Sequence, residues 1–214
     1  MTMNNLLLFV FLLTPTAALA SPLSRQEEDQ DYSQPLCFET RDELDQAIED
    51  YLSEDDSRRQ DVELVYGTPI SNWCTTRITD FSHLFDGYAH FNESLQGWDV
   101  SNAISMDGMF YRAQDFNQDL SLWKTEKVQD MTGMFAHAEA FDQDLSAWDV
   151  RSVTSLRATF LGATSFRACK SLLQWDTKSL LDSEMMLLGT ACEIQQDLLL
   201  QLGEGVFSQE EERP

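Results

Sequence analysis

The sequence predicts an α/β solenoid of about five 25-residue coils, each pairing a short strand with a short helix. Three observations carry that expectation. Trp73, Trp98, Trp123 and Trp148 stand 25 residues apart, and Trp175 follows after 27. The apolar residues that follow each Trp recur at the i, i+3, i+4, i+7 spacing of one helix face. Immediately around each Trp they alternate instead, as on a strand with one buried face.

The repeat holds in four further registers. Ile70, Leu95, Leu120, Leu145 and Leu172 stand three before each Trp, and Ile78, Ala103, Val128, Val153 and Leu180 stand five after it. Phe85, Phe110, Phe135, Phe160 and Leu187 stand twelve after it, and Phe91, Phe116, Phe141 and Phe166 lie six beyond those. The helical face is Met106, Met109, Phe110 and Ala113 in the second copy, and Met131, Met134, Phe135 and Ala138 in the third. Asp80, Ser105, Asp130, Ser155 and Asp182 precede these stretches as candidate N-caps. Gly87, Gly162 and Gly189 follow three of them at the left-handed position that ends a helix. On the strand, Leu95, Trp98 and Val100 point inward and Asp99 outward, the L-x-x-L-x-L pattern of a leucine-rich repeat with Trp in the middle position. The expected architecture is therefore leucine-rich-repeat-like over residues 70–190.

Stacked coils need covered ends. Residues 37–69 form the expected N-terminal cap, with a helix over 40–52. Thr40 and Glu43 make its capping box, and Leu44, Ala47, Ile48, Tyr51 and Leu52 its apolar face. Residues 191–207 form the expected C-terminal cap, through the apolar stretch 194–202. Residues 21–36 and 54–59 read as loose polar segments, and 208–214 as an acidic tail.

Residues 6–13 are an apolar run too short to span a bilayer, and Ala18-Leu19-Ala20 ends it with the small residues of a signal-peptidase site. Residues 1–20 thus read as a signal peptide cleaved near Ala20, placing the chain outside the cell or at its surface. Thirty-seven acidic against fourteen basic residues give a net charge of −23. Such a field repels nucleic acid and anionic membranes, so neither nucleic-acid binding nor membrane insertion is expected. Four cysteines suit an oxidising compartment. Cys169 and Cys192 are nearly one repeat apart, and Cys37 and Cys74 flank the N-terminal cap. Neighbouring coils bring such residues within disulfide reach, which gives the pairs Cys37–Cys74 and Cys169–Cys192.

Three stretches, FNQDLSLW (116–123), MTGMF (131–135) and FDQDLSAWDVRSVTSL (141–156), closely resemble the BspA-type leucine-rich repeat, known also from Mycoplasma surface lipoproteins of unknown function. The resemblance covers about residues 70–190. It implies a secreted or cell-surface protein that acts in adhesion and macromolecular recognition, with no catalytic residues to carry over. The chain departs from that pattern in having Ser21, not a lipid-attachment Cys, after the cleavage site, and in a two-residue insertion between Phe166 and Trp175.

Other constellations carry less. His83, His90 and His137 occupy three different registers and form no row. Asn92, Asn117 and Asp142, with Asp119 and Asp144, stack oxygen atoms that could serve Ca²⁺ or satisfy turn amides. They lack the D-x-D spacing of calcium loops, and no cofactor is expected. Asn92-Glu93-Ser94 is a glycosylation sequon. The outward strand row is Asp99, Lys124, Asp149 and Asp176, and it is the candidate binding face. Alternation of charge along it also relieves like-charge stacking without any ligand. The functional expectation is an extracellular or cell-surface recognition or adhesion module, not an enzyme, that binds a protein or polysaccharide. A self-assembling matrix or surface-coat protein is the alternative, and a hydrolase a distant one.

Overall fold

A computed structural model describes residues 36–193. The expected signal peptide, acidic tail and apolar stretch 194–202 lie outside the described residues.

The strand-plus-helix reading of the repeat is overturned. Among the described residues there is no β-strand and no sheet, and the helices are α1 (Arg41–Tyr51), α2 (Asp56–Tyr66) and two 3-10 segments, Ile70–Asn72 and Ala168–Gln174. None lies in the stretch after each Trp that the apolar spacing assigned to a helix. The backbone gives the reason. The residues ten and fourteen after every Trp have positive φ: His83, Gly108, Gly133, Ala158 and Met185 at 52–58°, and Gly87, Arg112, His137, Gly162 and Gly189 at 57–77°. A left-handed residue costs roughly 1–2 kcal/mol in a non-glycine and cannot sit inside a right-handed helix.

What replaces the helix is a run of turns that bonds one 25-residue tier to the next. The amides eight, ten, twelve and fourteen after Trp98 (Met106, Gly108, Phe110, Arg112) donate to Asp130, Thr132, Met134 and Ala136 carbonyls at 2.8–2.9 Å. The amides of Met109, Tyr111 and Ala113, alternating with these, turn back by three residues to Met106, Gly108 and Phe110 carbonyls. Three-residue returns put the same side chains inward that a helix would, so Met106, Met109, Phe110 and Ala113 are all fully buried. The burial periodicity is real, and the helix it suggested is not. The expected N-caps cap turns instead: Asp80, Asp130 and Asp182 accept from the amide two residues on at 2.8–2.9 Å. The same five residues, Asp80, Ser105, Asp130, Ser155 and Asp182, form a chain of isolated parallel bridges, one per step between tiers.

The strand is absent for a related reason. Around Trp the contacts between tiers come from side chains: Thr75 and Thr125 hydroxyls donate to the Asp99 and Asp149 carbonyls, both at 3.0 Å. The Trp amide itself turns back three residues, Trp98 N–H to Leu95 O at 3.1 Å.

The five indoles are buried in one register. Trp98, Trp123, Trp148 and Trp175 donate Nε1–H to Ile70, Leu95, Leu120 and Leu145 carbonyls of the preceding tier at 2.8–3.1 Å. Buried indole N–H groups need such acceptors, because a lost hydrogen bond inside is costly. Beside them run two phenylalanine columns. Phe85, Phe110, Phe135 and Phe160 stack at 5.5–5.6 Å, and Phe91, Phe116, Phe141 and Phe166 at 5.9–6.2 Å. The two-residue insertion is absorbed by the 3-10 segment Ala168–Gln174, which buries Cys169, Ser171 and Leu172.

At the first tier, Thr40 accepts from Glu43 N–H and caps α1, whose buried face is Leu44, Ala47, Ile48 and Tyr51. The stretch 54–59, read as loose, instead contains the first turn of α2, capped by Asp55. Only Val62 of α2 is buried. Its anchors are Arg59, which reaches Tyr51 and Ser53 carbonyls at 3.0 and 2.8 Å, and the Arg58–Asp50 ion pair. Two disulfides, Cys37–Cys74 and Cys169–Cys192, join residues whose Cα atoms are 4.4 and 5.8 Å apart.

Candidate recognition face

The residue after each Trp leaves the core between two turns, and this is where Asp99, Lys124, Asp149 and Asp176 emerge. Lys124 is exposed and the three aspartates are half-buried. The aspartates are engaged locally. Asp99 accepts from Ser101 N–H at 2.9 Å, Asp149 accepts from the Arg151 amide and guanidinium, and Asp176 pairs with Lys178 at 3.1 Å. Hydrogen bonds from Ser101 hold the Asp99 carboxyl below its ordinary range, with Lys124 and Lys127 adding to the effect. Bonds from Arg151 do the same for Asp149. Lys124 is in none of the ion pairs among the described residues, so the row is no ladder of cross-tier salt bridges.

Sequence reasoning missed the row's cations. Lys127, Arg151 and Lys178 lie three or four residues after Trp, so the same turn that presents the aspartates presents them. Lys127 Nζ reaches Asn102 Oδ1 in the tier before at 2.6 Å, and Arg151 feels Asp149 first, then Asp176 and Glu126. A count of basic residues by register would have revealed the cluster. Leu122, one before Trp123, is 68% exposed, with Gly97 and Ala147 as its register neighbours.

The Asn92, Asn117 and Asp142 row has a structural task. Asn92 Oδ1 accepts from Asn117 N–H at 3.0 Å, Asn117 Oδ1 from Asp142 N–H at 2.9 Å, and Asp142 Oδ1 from Arg167 and Ala168 N–H at 2.6 and 2.8 Å. Each oxygen thus ties one tier to the next. Asp119 and Asp144 accept from Ser121 and Ser146 amides within their own turns at 2.8 Å. Among the described residues no group of three or more His, Cys, Asp or Glu converges as a metal site. Asn92 of the sequon is exposed.

The histidines stay apart. His83 lies near Asp86 and Asp107 at 3.1 and 3.6 Å, and His90 near Asp115 at 2.9 Å. His137 lies edge-on to Tyr111. The rings of His83 and His137 fill the places where Cβ atoms of Gly108 and Gly162 would stand. Among the described residues no helix is long and apolar enough to cross a membrane.

The repeat just described is matched, over residues 58–171 and again over 123–199, by the family model "Mycoplasma protein of unknown function, DUF285". The chain belongs to the DUF285 family. No curated protein and no solved structure matches it. The DUF285 match spans the Trp and Phe columns and the mixed-charge row, and begins within α2.

Proposed function

We propose that this DUF285 protein is an extracellular or cell-surface recognition module of the BspA type, without catalytic activity, whose partner docks on the face beside the Trp column. One observation carries the reading. In a chain of net charge −23 with fourteen basic residues, four of them (Lys124, Lys127, Arg151 and Lys178) fall on the three- or four-residue turns that follow Trp, interleaved with Asp99, Asp149 and Asp176. An exposed leucine beside this charge pattern suits a partner that offers both signs of charge and an apolar pocket, as a protein surface does. The two disulfides and the apolar run at residues 6–13 support an oxidising, extracellular setting.

The test is capture from extracellular material by the purified chain, followed by affinity measurement with charge-reversed variants. Lys124→Glu with Arg151→Glu, and separately Asp149→Lys, should each weaken binding at least about tenfold, the scale of losing a close interfacial charge pair, and leave the melting temperature within a few degrees. Unchanged affinity when Asp99, Lys124, Asp149 and Asp176 are all reversed would move the site off this face.

A further inference from the structure

Where the repeat meets its N-terminal cap, the packing leaves a hollow. Phe91, the first ring of its column, stacks on Phe85 at 4.1 Å and on Phe116 at 5.9 Å. Helix α1 packs on Trp73 through Tyr51, its last residue, with ring centroids 5.3 Å apart. Between Leu52, which follows the helix, and the loop that carries Phe91 lies a cavity of about 430 Å³. Its walls include Leu52, Tyr88, His90, Phe91, Asn92 and Glu93. Cavities of this size take a small molecule or an inserted side chain.

The walls are held in place by the fold. Tyr51 donates its hydroxyl to Glu93 Oε2 at 2.9 Å. Burial, and then the Glu93 carboxylate, push the Tyr51 hydroxyl up to about 12, so it remains a donor at neutral pH. Asn92 Oδ1 accepts from Asn117 N–H and Gln118 Nε2–H at 3.0 and 2.9 Å, which ties that wall to the second tier. The charge around the cavity is negative. Burial, and then Glu49 and Asp45 of α1, hold the Tyr88 hydroxyl above its ordinary range. Asp45 is matched by Arg41 at 2.8 Å, and His90 stands 2.9 Å from Asp115. Among the described residues neither Glu93 nor Glu49 is in an ion pair.

We propose that this cavity receives a basic side chain, lysine or arginine, of a partner protein, with its stem against Leu52 and Phe91 and its charge between Glu93 and the Tyr88 ring. A long basic side chain combines an apolar stem with a charged end, which is the combination these walls present. A ring face and a carboxylate each attract a cation weakly in water and more strongly where part of the water is displaced. An anionic ligand meets like charge here, and a neutral sugar leaves the Glu93 charge unmatched. The chain's net charge of −23 draws basic partners towards it before contact. The cavity residues Tyr88 to Glu93 follow Trp73 by fifteen to twenty positions, whereas the mixed-charge row follows each Trp by one to four. The inference therefore stands apart from the docking face proposed above.

Titration of the isotope-labelled full chain with blocked tripeptides, followed by amide chemical shifts, tests this. The peptides are acetyl-Gly-Xaa-Gly-amide with lysine, arginine or the uncharged norleucine at the centre, and cadaverine serves as a free amine. The lysine or arginine peptide is expected to shift the amides from Gly87 to Glu93 saturably, with an affinity at least about fivefold above the norleucine peptide. Glu93→Gln, which keeps an acceptor for the Tyr51 hydroxyl, should remove most of that difference. Lys124→Glu with Arg151→Glu should leave it unchanged, which separates this site from the face beside the Trp column. If Glu93→Gln does not fold, the comparison of basic and norleucine peptides on the unaltered chain decides. Equal affinity for the norleucine peptide, or no saturable shift at these amides, would overturn the proposal. So would binding that is lost with Lys124→Glu and Arg151→Glu, or cadaverine binding at least about tenfold tighter than either basic peptide, because the site would then serve free amines.

Discussion

Each buried Trp from Trp98 onward does two jobs, filling the core and donating to a carbonyl in the tier before it. Trp123→Ala removes both, and should cost about 3–5 kcal/mol, the scale of a large core truncation. Urea unfolding checks this, and a loss under about 1 kcal/mol would mean the indole is not the core element described here. Gly97 is constrained differently. A Cβ at Gly97 would stand 2.1 Å from the Ser71 carbonyl oxygen, and backbone cannot step aside as a flexible side chain can. Gly97→Ala should cost about 1–3 kcal/mol by overpacking. Gly133 has φ +58° and open space around its Cβ position, so Gly133→Ala meets only the left-handed penalty of roughly 1–2 kcal/mol. At this scale the buried side chains were legible, because burial follows spacing. The backbone's handedness was not. The left-handed position ten after Trp is held by His83, Gly108, Gly133, Ala158 and Met185, a set with no shared residue type to announce it.

Among the elements, α1 was readable from its capping box and α2 was not. Thr40 and Glu43 signal a helix start locally, whereas α2 buries only Val62 and relies on arginines that reach back to the end of α1. Glu43 also ties α1 to Tyr66 at the end of α2, whose hydroxyl donates to it at 2.6 Å. That bond and the Glu39 amide hold the Glu43 carboxyl below its ordinary 4.5. A depressed carboxyl contributes stability that is present above the unfolded value and lost as pH falls through the lower folded value. The N-terminal cap should therefore loosen in acid below about pH 4.5, and Glu43→Gln should flatten that part of the stability curve. Tyr66 fluorescence or a pH-dependent melt reads the change; an unaltered acid limb in Glu43→Gln would remove Glu43 from the account. The disulfides act on the same scale. Cys37–Cys74 closes 37 residues and Cys169–Cys192 closes 23, so replacing either pair by alanines should cost about 3–4 kcal/mol through loop-closure entropy.

For the molecule as a whole, the 25-residue register was legible and the way it is executed was not. Phe85, Phe110, Phe135 and Phe160 fall in one column because they share a register, and any stacked repeat would align them. The choice between a helix in each tier and bonds between tiers rests on where alternate amides point, which side-chain spacing does not encode. A helix would satisfy Phe110 N–H on Met106 O within the tier, whereas the chain sends it to Met134 O at 2.8 Å, 24 residues on. For the recognition face the outward row was readable, but its cations at Lys127, Arg151 and Lys178 sit off the strand alternation that drew attention to Asp99 and Lys124. The decisive measurement is the through-hydrogen-bond scalar coupling of the Phe110 amide nitrogen in an isotope-labelled sample. A coupling to the Met134 carbonyl carbon is the predicted result; a coupling to the Met106 carbonyl carbon instead would restore the helix and contradict the tiered backbone.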